Sequence, residues 1–205
     1  MKDEFYIKLN QRITMSSTAS KVLPLLCNVL TFLVYISYFV IIGFLVVFKD
    51  IKGLMIMIIP TGASFFAVSA ARSVVNKPRP YEKMNITPLK SNPKSGKSFP
   101  SRHTFSAFAV AFSTYFIHPA CFYVLITVAV MIAVLRVLCG MHYVKDVVVG
   151  FLIAAAIFSA LQRIGLIMRS CSSMLHATAV ALVDIIIGTK SLSWLSFWKF
   201  LKSNA

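Results

Sequence analysis

Long apolar runs alternate with short polar breaks along most of this chain, and its charges gather in the breaks. The first 21 residues differ: Phe5, Leu9 and Ile13 recur every four residues, with Asp3 and Glu4 ahead of them. That pattern predicts a short amphipathic helix lying on a membrane surface. Apolar runs then cover about 22–48, 53–71, 101–118, 120–138 and 146–161. Most are near the ~17–25 residues that a membrane-spanning helix needs. Pro60-Thr61-Gly62 is expected to kink the second run, whose Ala63, Ser64, Ala67, Ser69 and Ala70 allow close helix packing. A sixth run, 173–188, is short and broken by His176 and Asp184. Beyond it, Trp194, Trp198, Lys199 and Lys202 make an interfacial anchor. The fold class predicted is all-α: a polytopic transmembrane bundle of five to six spans with an amphipathic N-terminal helix. It divides into an N-terminal segment (1–21), a membrane-embedded core (22–165) and a membrane-associated C-terminal segment (166–205).

Composition agrees with the pattern. The 205 residues are 58% hydrophobic and only 13% charged, with a mean hydropathy of +0.80, whereas soluble domains are about 25% charged. Lys and Arg outnumber Asp and Glu by 21 to 6, for a formal net charge of +15. In a soluble protein that balance would suggest nucleic acid. Here the cations sit in loops and at run ends, so the expected partners are the bilayer and a phosphorylated membrane lipid, with no nucleic acid. Cys27, Cys121, Cys139 and Cys171 show no CxxC or metal-ligand spacing, so neither a disulfide nor a metal site is expected. No cleavable signal peptide is expected either.

The longest polar break, 72–102, holds Pro78, Pro80, Pro88, Pro93 and Gly96 and a basic lip of Lys83, Lys90, Lys94 and Lys97. Loops of that length usually carry function. Three charged constellations flank the runs. In RVLCGMHYVKD, Arg136, His142 and Asp146 are spaced by six and four. Were a helix to start near His142, that histidine and Asp146 would share a face, and the carboxylate could fix the imidazole tautomer. In FPSRH, Ser101, Arg102 and His103 stand at a helix start, where backbone N–H groups favour an anion and His103 can give a proton to a leaving oxygen. In RSVVNKPRP, Arg72 and Arg79 offer two guanidiniums with Lys77 between them. Each set also has a plainer reading: surface-marking charge for the first, an N-cap for Ser101, and juxtamembrane basic charge for the third. An alternating topology puts all three on one membrane face, which favours a shared pocket.

RSVVNKPRP, FPSRH and RVLCGMHYVKD together resemble the three signature motifs of the type 2 phosphatidic acid phosphatase family, which shares its site with vanadium-dependent haloperoxidases. Those motifs are written KxxxxxxRP, PSGH and SRxxxxxHxxxD, and the resemblance covers about 20–165. Arg72 stands in place of the motif Lys, Arg102 in place of the Gly, and Leu135 in place of the Ser. The resemblance implies hydrolysis of a phosphate ester or diphosphate through a phosphohistidine, with no metal and no cofactor. By position His142 is the nucleophile, Asp146 its orienting carboxylate and His103 the acid. Arg72, Arg79, Ser101 and Arg136 hold the phosphoryl oxygens, with Arg102 a weaker candidate. Small bacterial chains of this layout resemble undecaprenyl diphosphate phosphatases. A phosphatidate or phosphatidylglycerophosphate phosphatase is the alternative, followed by a non-catalytic phosphate or lipid binder. A haloperoxidase is disfavoured because those enzymes are soluble. The resemblance also implies a site outside the cytoplasm. Charge counting opposes this, since Lys2, Lys8, Arg12, Lys21 and the lip would lie outside against Lys49, Lys52, Arg163 and Arg169 inside. The lip has a substrate to explain its charge, so the external site is kept.

Overall fold

A computed structural model describes residues 2–84, 86–89, 95–115, 117–160 and 163. The chain divides into two compact units, Met1–Phe158 and Ser159–Ala205, and the site lies in the first. Helices follow in the order α1 (Lys2–Met15), α2 (Ser17–Val47), α3 (Ile51–Val75), α4 (Pro80–Met84), α5 (Arg102–Tyr115) and α6 (Pro119–Leu138). A further helical stretch, α7, covers 144–160. No strand occurs among the described residues. The sixth run and the tryptophan tail lie outside them, as do Lys90 and Lys94 of the lip.

Caps explain why the helices outrun the apolar stretches that announce them. The Ser16 side chain accepts the N–H of Ala19 at 3.3 Å, so α2 starts at Ser17, ahead of the hydrophobic edge at 22. Asp50 caps α3 in the same way through Gly53 N–H at 3.0 Å. At its far end α3 runs through Arg72 to a left-handed C-cap at Asn76, so Arg72 belongs to the helix and not to the loop. The 72–102 break is likewise less open than expected, because α4 forms inside it.

α5 is the centre of the bundle. It packs most heavily on α6 and then on α3, while α2 covers α6 and α3. Phe105, Ala111, Ala129 and Ile132 are fully buried in the resulting core. The outer faces are apolar and bare: Phe32, Phe39 and Phe44 on α2, Phe66 on α3, and Tyr123 and Val134 on α6 are all exposed. In water such faces would be untenable, and in lipid they are the ordinary exterior. The α2, α3–α4 and α6 stretches are long and apolar enough to cross a bilayer. α5, with 14 residues, reaches only ~21 Å and stands as a short buried helix among longer neighbours.

Two contacts matter for the site. Gly150 on α7 meets the start of α5 so closely that a Cβ there would lie 2.9 Å from the carbonyl oxygen of Ser101. α1, expected only to lie on the surface, is also tied inward. Its Tyr6 hydroxyl accepts the N–H of Val144 at 2.9 Å, its ring meets Tyr143 edge-on at 5.6 Å, and Asn10 donates to the Thr87 carbonyl at 2.9 Å.

Candidate active site

α6 ends at Leu138, and the chain turns through Gly140, whose φ of 69° suits a residue without a side chain. The turn carries His142 and leads into α7. Helix therefore begins two residues after His142, not at it. The i,i+4 partners still meet: His142 Nδ1 lies 3.8 Å from Asp146 Oδ2. This is ion-pair range and longer than a hydrogen bond. The near oxygen of Asp146 is occupied by Ser98, whose hydroxyl donates to it at 2.5 Å and stands 3.5 Å from His142 Nδ1. Tyr143 N–H donates to the same oxygen at 3.2 Å, while Asp146 Oδ1 has no partner among the described residues. Ser98, His142 and Asp146 are all essentially inaccessible.

The 95–101 segment is pinned from both sides. Glu82 accepts Arg79 N–H and Ser95 Oγ–H, each at 2.6 Å, and Gly96 N–H at 2.9 Å. Arg79 Nε in turn donates to Gly96 O at 3.0 Å, and Ser98 N–H donates to Lys77 O at 2.9 Å. The Phe99–Pro100 peptide is cis, and Arg72 Nη1 donates to the Pro100 carbonyl. Ser101 N–H donates to the Asp146 carbonyl at 2.9 Å, which joins the start of α5 to α7. The Ser101 hydroxyl faces Thr104 Oγ1 at 3.0 Å.

A cavity of about 390 Å³ opens at the ends of these helices. Arg72, Arg79, Arg102 and Arg136 line it with His103 and Lys97, and Ser69, Ser73, Ser95, Gly96 and Met141 complete its walls. Among the described residues no acidic side chain lines it. Arg72, Arg79 and Arg136 are each more than nine-tenths buried. Arg102 is more open, its guanidinium 5.3 Å from the centre of the Phe65 ring. Arg136 Nη2 donates weakly to Thr31 at 3.4 Å, and its Nε has no partner among the described residues.

Five of the residues singled out in the sequence thus share one cavity: Arg72, Arg79, Arg102, His103 and Arg136. His142 and Asp146 form a buried pair next to it, with Met141 the neighbour that reaches the wall. Ser101 is fully buried and off the cavity lining. Ser98, Glu82 and Ser69 were not anticipated. A serine two residues before the motif proline was the one available signal for Ser98.

Burial above all holds the His142 imidazole down to about 4, against the pull of Asp146 and with Arg79 and Arg72 pushing the same way. A base with a lowered pKa is neutral above that value, so its ring nitrogen is unprotonated at neutral pH. Nitrogen-15 NMR of histidine-labelled protein in micelles should show His142 still neutral at about pH 5. A midpoint near the ordinary 6.5 would contradict the buried geometry. Burial pushes the Cys139 thiol up to about 12, which fits a structural cysteine and not a nucleophile.

Fold and cavity define an integral-membrane helical bundle with a strongly cationic pocket beside a buried histidine–aspartate pair. The sequence model of the PAP2 superfamily matches residues 53–166, more than half of the chain. The chain belongs to that superfamily, the type 2 phosphatidic acid phosphatases. Among solved structures it is similar to Aquifex aeolicus LpxE, with 22% identity over 78% of this chain and 93% of that one and a TM-score of 0.62. It is also similar to the first transmembrane PAP2-type phosphatidylglycerolphosphate phosphatase from Bacillus subtilis, with 18% identity, coverage of 79% and 85%, and the same TM-score of 0.62. These likenesses concern the fold. No curated protein sequence matches the chain.

Proposed function

We propose that the protein hydrolyses a phosphate monoester or diphosphate of a membrane lipid through a phosphohistidine, with undecaprenyl diphosphate as the preferred substrate. The observation that carries this reading is the meeting of three buried guanidiniums and His103 in one cavity beside the His142–Asp146 pair. Lining at the ends of membrane helices suits a substrate whose headgroup is at the bilayer surface and whose tail stays in lipid.

Arg72, Arg79 and Arg136 bind the equatorial oxygens of the transferred phosphoryl group, where charge spreads in the transition state. His142 attacks phosphorus through Nε2, since Nδ1 faces Ser98 and Asp146. The new N–P bond replaces the bond to the leaving oxygen, which takes a proton from His103. The imidazolium formed is stabilised by Asp146. Water then attacks the phosphohistidine, His103 takes back a proton, and inorganic phosphate leaves. At 1% exposure, His142 meets the phosphoryl group only once the neighbouring wall, Met141 above all, gives way to the entering substrate. Ser101 keeps a supporting part, holding the start of α5 against α7. Positive charge that a metal would otherwise bring comes from the guanidiniums, and the site faces outside the cytoplasm.

Phosphatidylglycerophosphate is the second reading, favoured by the substrate named for the Bacillus subtilis neighbour. Detergent-solubilised protein given a polyprenyl diphosphate, phosphatidate and phosphatidylglycerophosphate separates the two by phosphate release. The diphosphate should be the fastest, with a chelator making no difference. Release from none of the three would leave a phosphate-binding protein and no enzyme. Labelling a cysteine placed at Lys90 in intact cells tests the face: protection from an impermeant reagent would put the site inside.

A further inference from the structure

The cavity carries more positive charge than a single phosphoryl group calls for. A phosphate monoester brings a charge of about −1.5 to −2. Arg72, Arg79 and Arg136 already answer that from buried positions. A fourth guanidinium, Arg102, lines the same space and is half open, placed over the Phe65 ring. An aromatic face steadies a guanidinium without using up its N–H donors.

Phe65 also locates this group relative to α3. Positions 65, 69, 72 and 73 fall on one face of that helix. Along that face Ser69 comes between Phe65 and Arg72; it lines the cavity, and its hydroxyl is buried with no hydrogen-bond partner among the described residues. Buried hydroxyls are nearly always paired, so one that lines a cationic cavity unpaired is a donor awaiting an acceptor. Its neighbour Ser73 does bond within the helix, to the Ser69 carbonyl at 3.2 Å.

We infer that Ser69 and Arg102 form a second anion subsite, which takes the non-transferred phosphate of a lipid diphosphate while Arg72, Arg79 and Arg136 hold the terminal one. This rests on the phosphatase reading above and narrows its substrate class. In the reaction the bond between the terminal phosphorus and the bridging oxygen breaks as the N–P bond forms. The lipid monophosphate leaves with its bridging oxygen protonated by His103, held on Arg102 and Ser69. Water supplies the oxygen and protons that complete inorganic phosphate. A monophosphate substrate leaves the subsite empty.

The test compares a polyprenyl diphosphate with the monophosphate of the same tail, taking the ratio of their kcat/KM values for wild type, Arg102→Ala and Ser69→Ala. Loss of a charge-assisted contact should lower the diphosphate-to-monophosphate ratio about tenfold in Arg102→Ala, and a loss of about threefold is expected in Ser69→Ala. A ratio equal to wild type in both variants overturns the subsite. Thermal stabilisation supplies a readout free of turnover: pyrophosphate should raise the melting temperature of wild type more than orthophosphate does, and Arg102→Ala should erase that difference. Equal stabilisation by both anions in wild type also overturns it. If wild type releases phosphate from neither lipid, the phosphatase reading fails, whereas activity with an unmoved ratio sinks only the subsite.

Discussion

Phosphate release by His142→Ala is expected to fall by roughly 10⁴-fold or more, the scale seen when a covalent nucleophile is removed from a concerted site. The physical reason is the environment the fold builds for this ring. The imidazole is desolvated, neutral at working pH and flanked on its Nδ1 side by Ser98 and Asp146. A lone pair on Nε2 is therefore available without prior deprotonation. Cys139 is held too far up to substitute. Two measurements check the claim. Acid quench of wild type during turnover should trap an acid-labile phosphoprotein that is absent from the variant. The melting temperature should show that the variant still folds. A variant keeping more than about a hundredth of the wild-type rate would mean that His142 is not the attacking group.

Asp146→Asn comes second, with an expected loss in kcat of about 10²- to 10⁴-fold and a much smaller effect on KM. The amide keeps the size of the carboxylate and one oxygen for Ser98 and Tyr143 N–H. What disappears is the negative charge 3.8 Å from the ring nitrogen that becomes cationic when the phosphohistidine forms. For a pair this deeply buried that charge has no replacement. Normalising kcat to the folded fraction, read from the melting transition, distinguishes this from a packing defect, which lowers only the amount of active protein. A kcat within about threefold of wild type would remove Asp146 from the mechanism.

Much of this organisation is legible in the sequence. Apolar runs mark α2, α3 and α6 within a few residues, because lipid-facing helices have to be apolar over a bilayer's thickness. Helix ends were less legible, since the cap at Ser16 and the left-handed turn at Asn76 are local polar events that hydropathy does not register. Arg72 shows the cost of reading charge as loop: it is helical and buried because the Pro100 carbonyl receives it. Motif spacing was enough to bring Arg72, Arg79, Arg102, His103 and Arg136 to one place. It could not find Ser98, which reaches Asp146 across 48 positions, or Glu82, which ties down Gly96 across 14. Such partners are chosen by how a loop folds back, and nothing in a serine's or glutamate's own neighbourhood announces the choice. Ser69 is hard to single out for a related reason: among small residues on a membrane helix it looks like packing, and only a buried hydroxyl without a partner among the described residues sets it apart.

The fastening of Tyr6 to Val144 has a practical side. Through Tyr6 and Asn10, α1 braces the bend that carries His142 and the segment that packs beside it, so shortening that helix is expected to lower the melting temperature and loosen the bend.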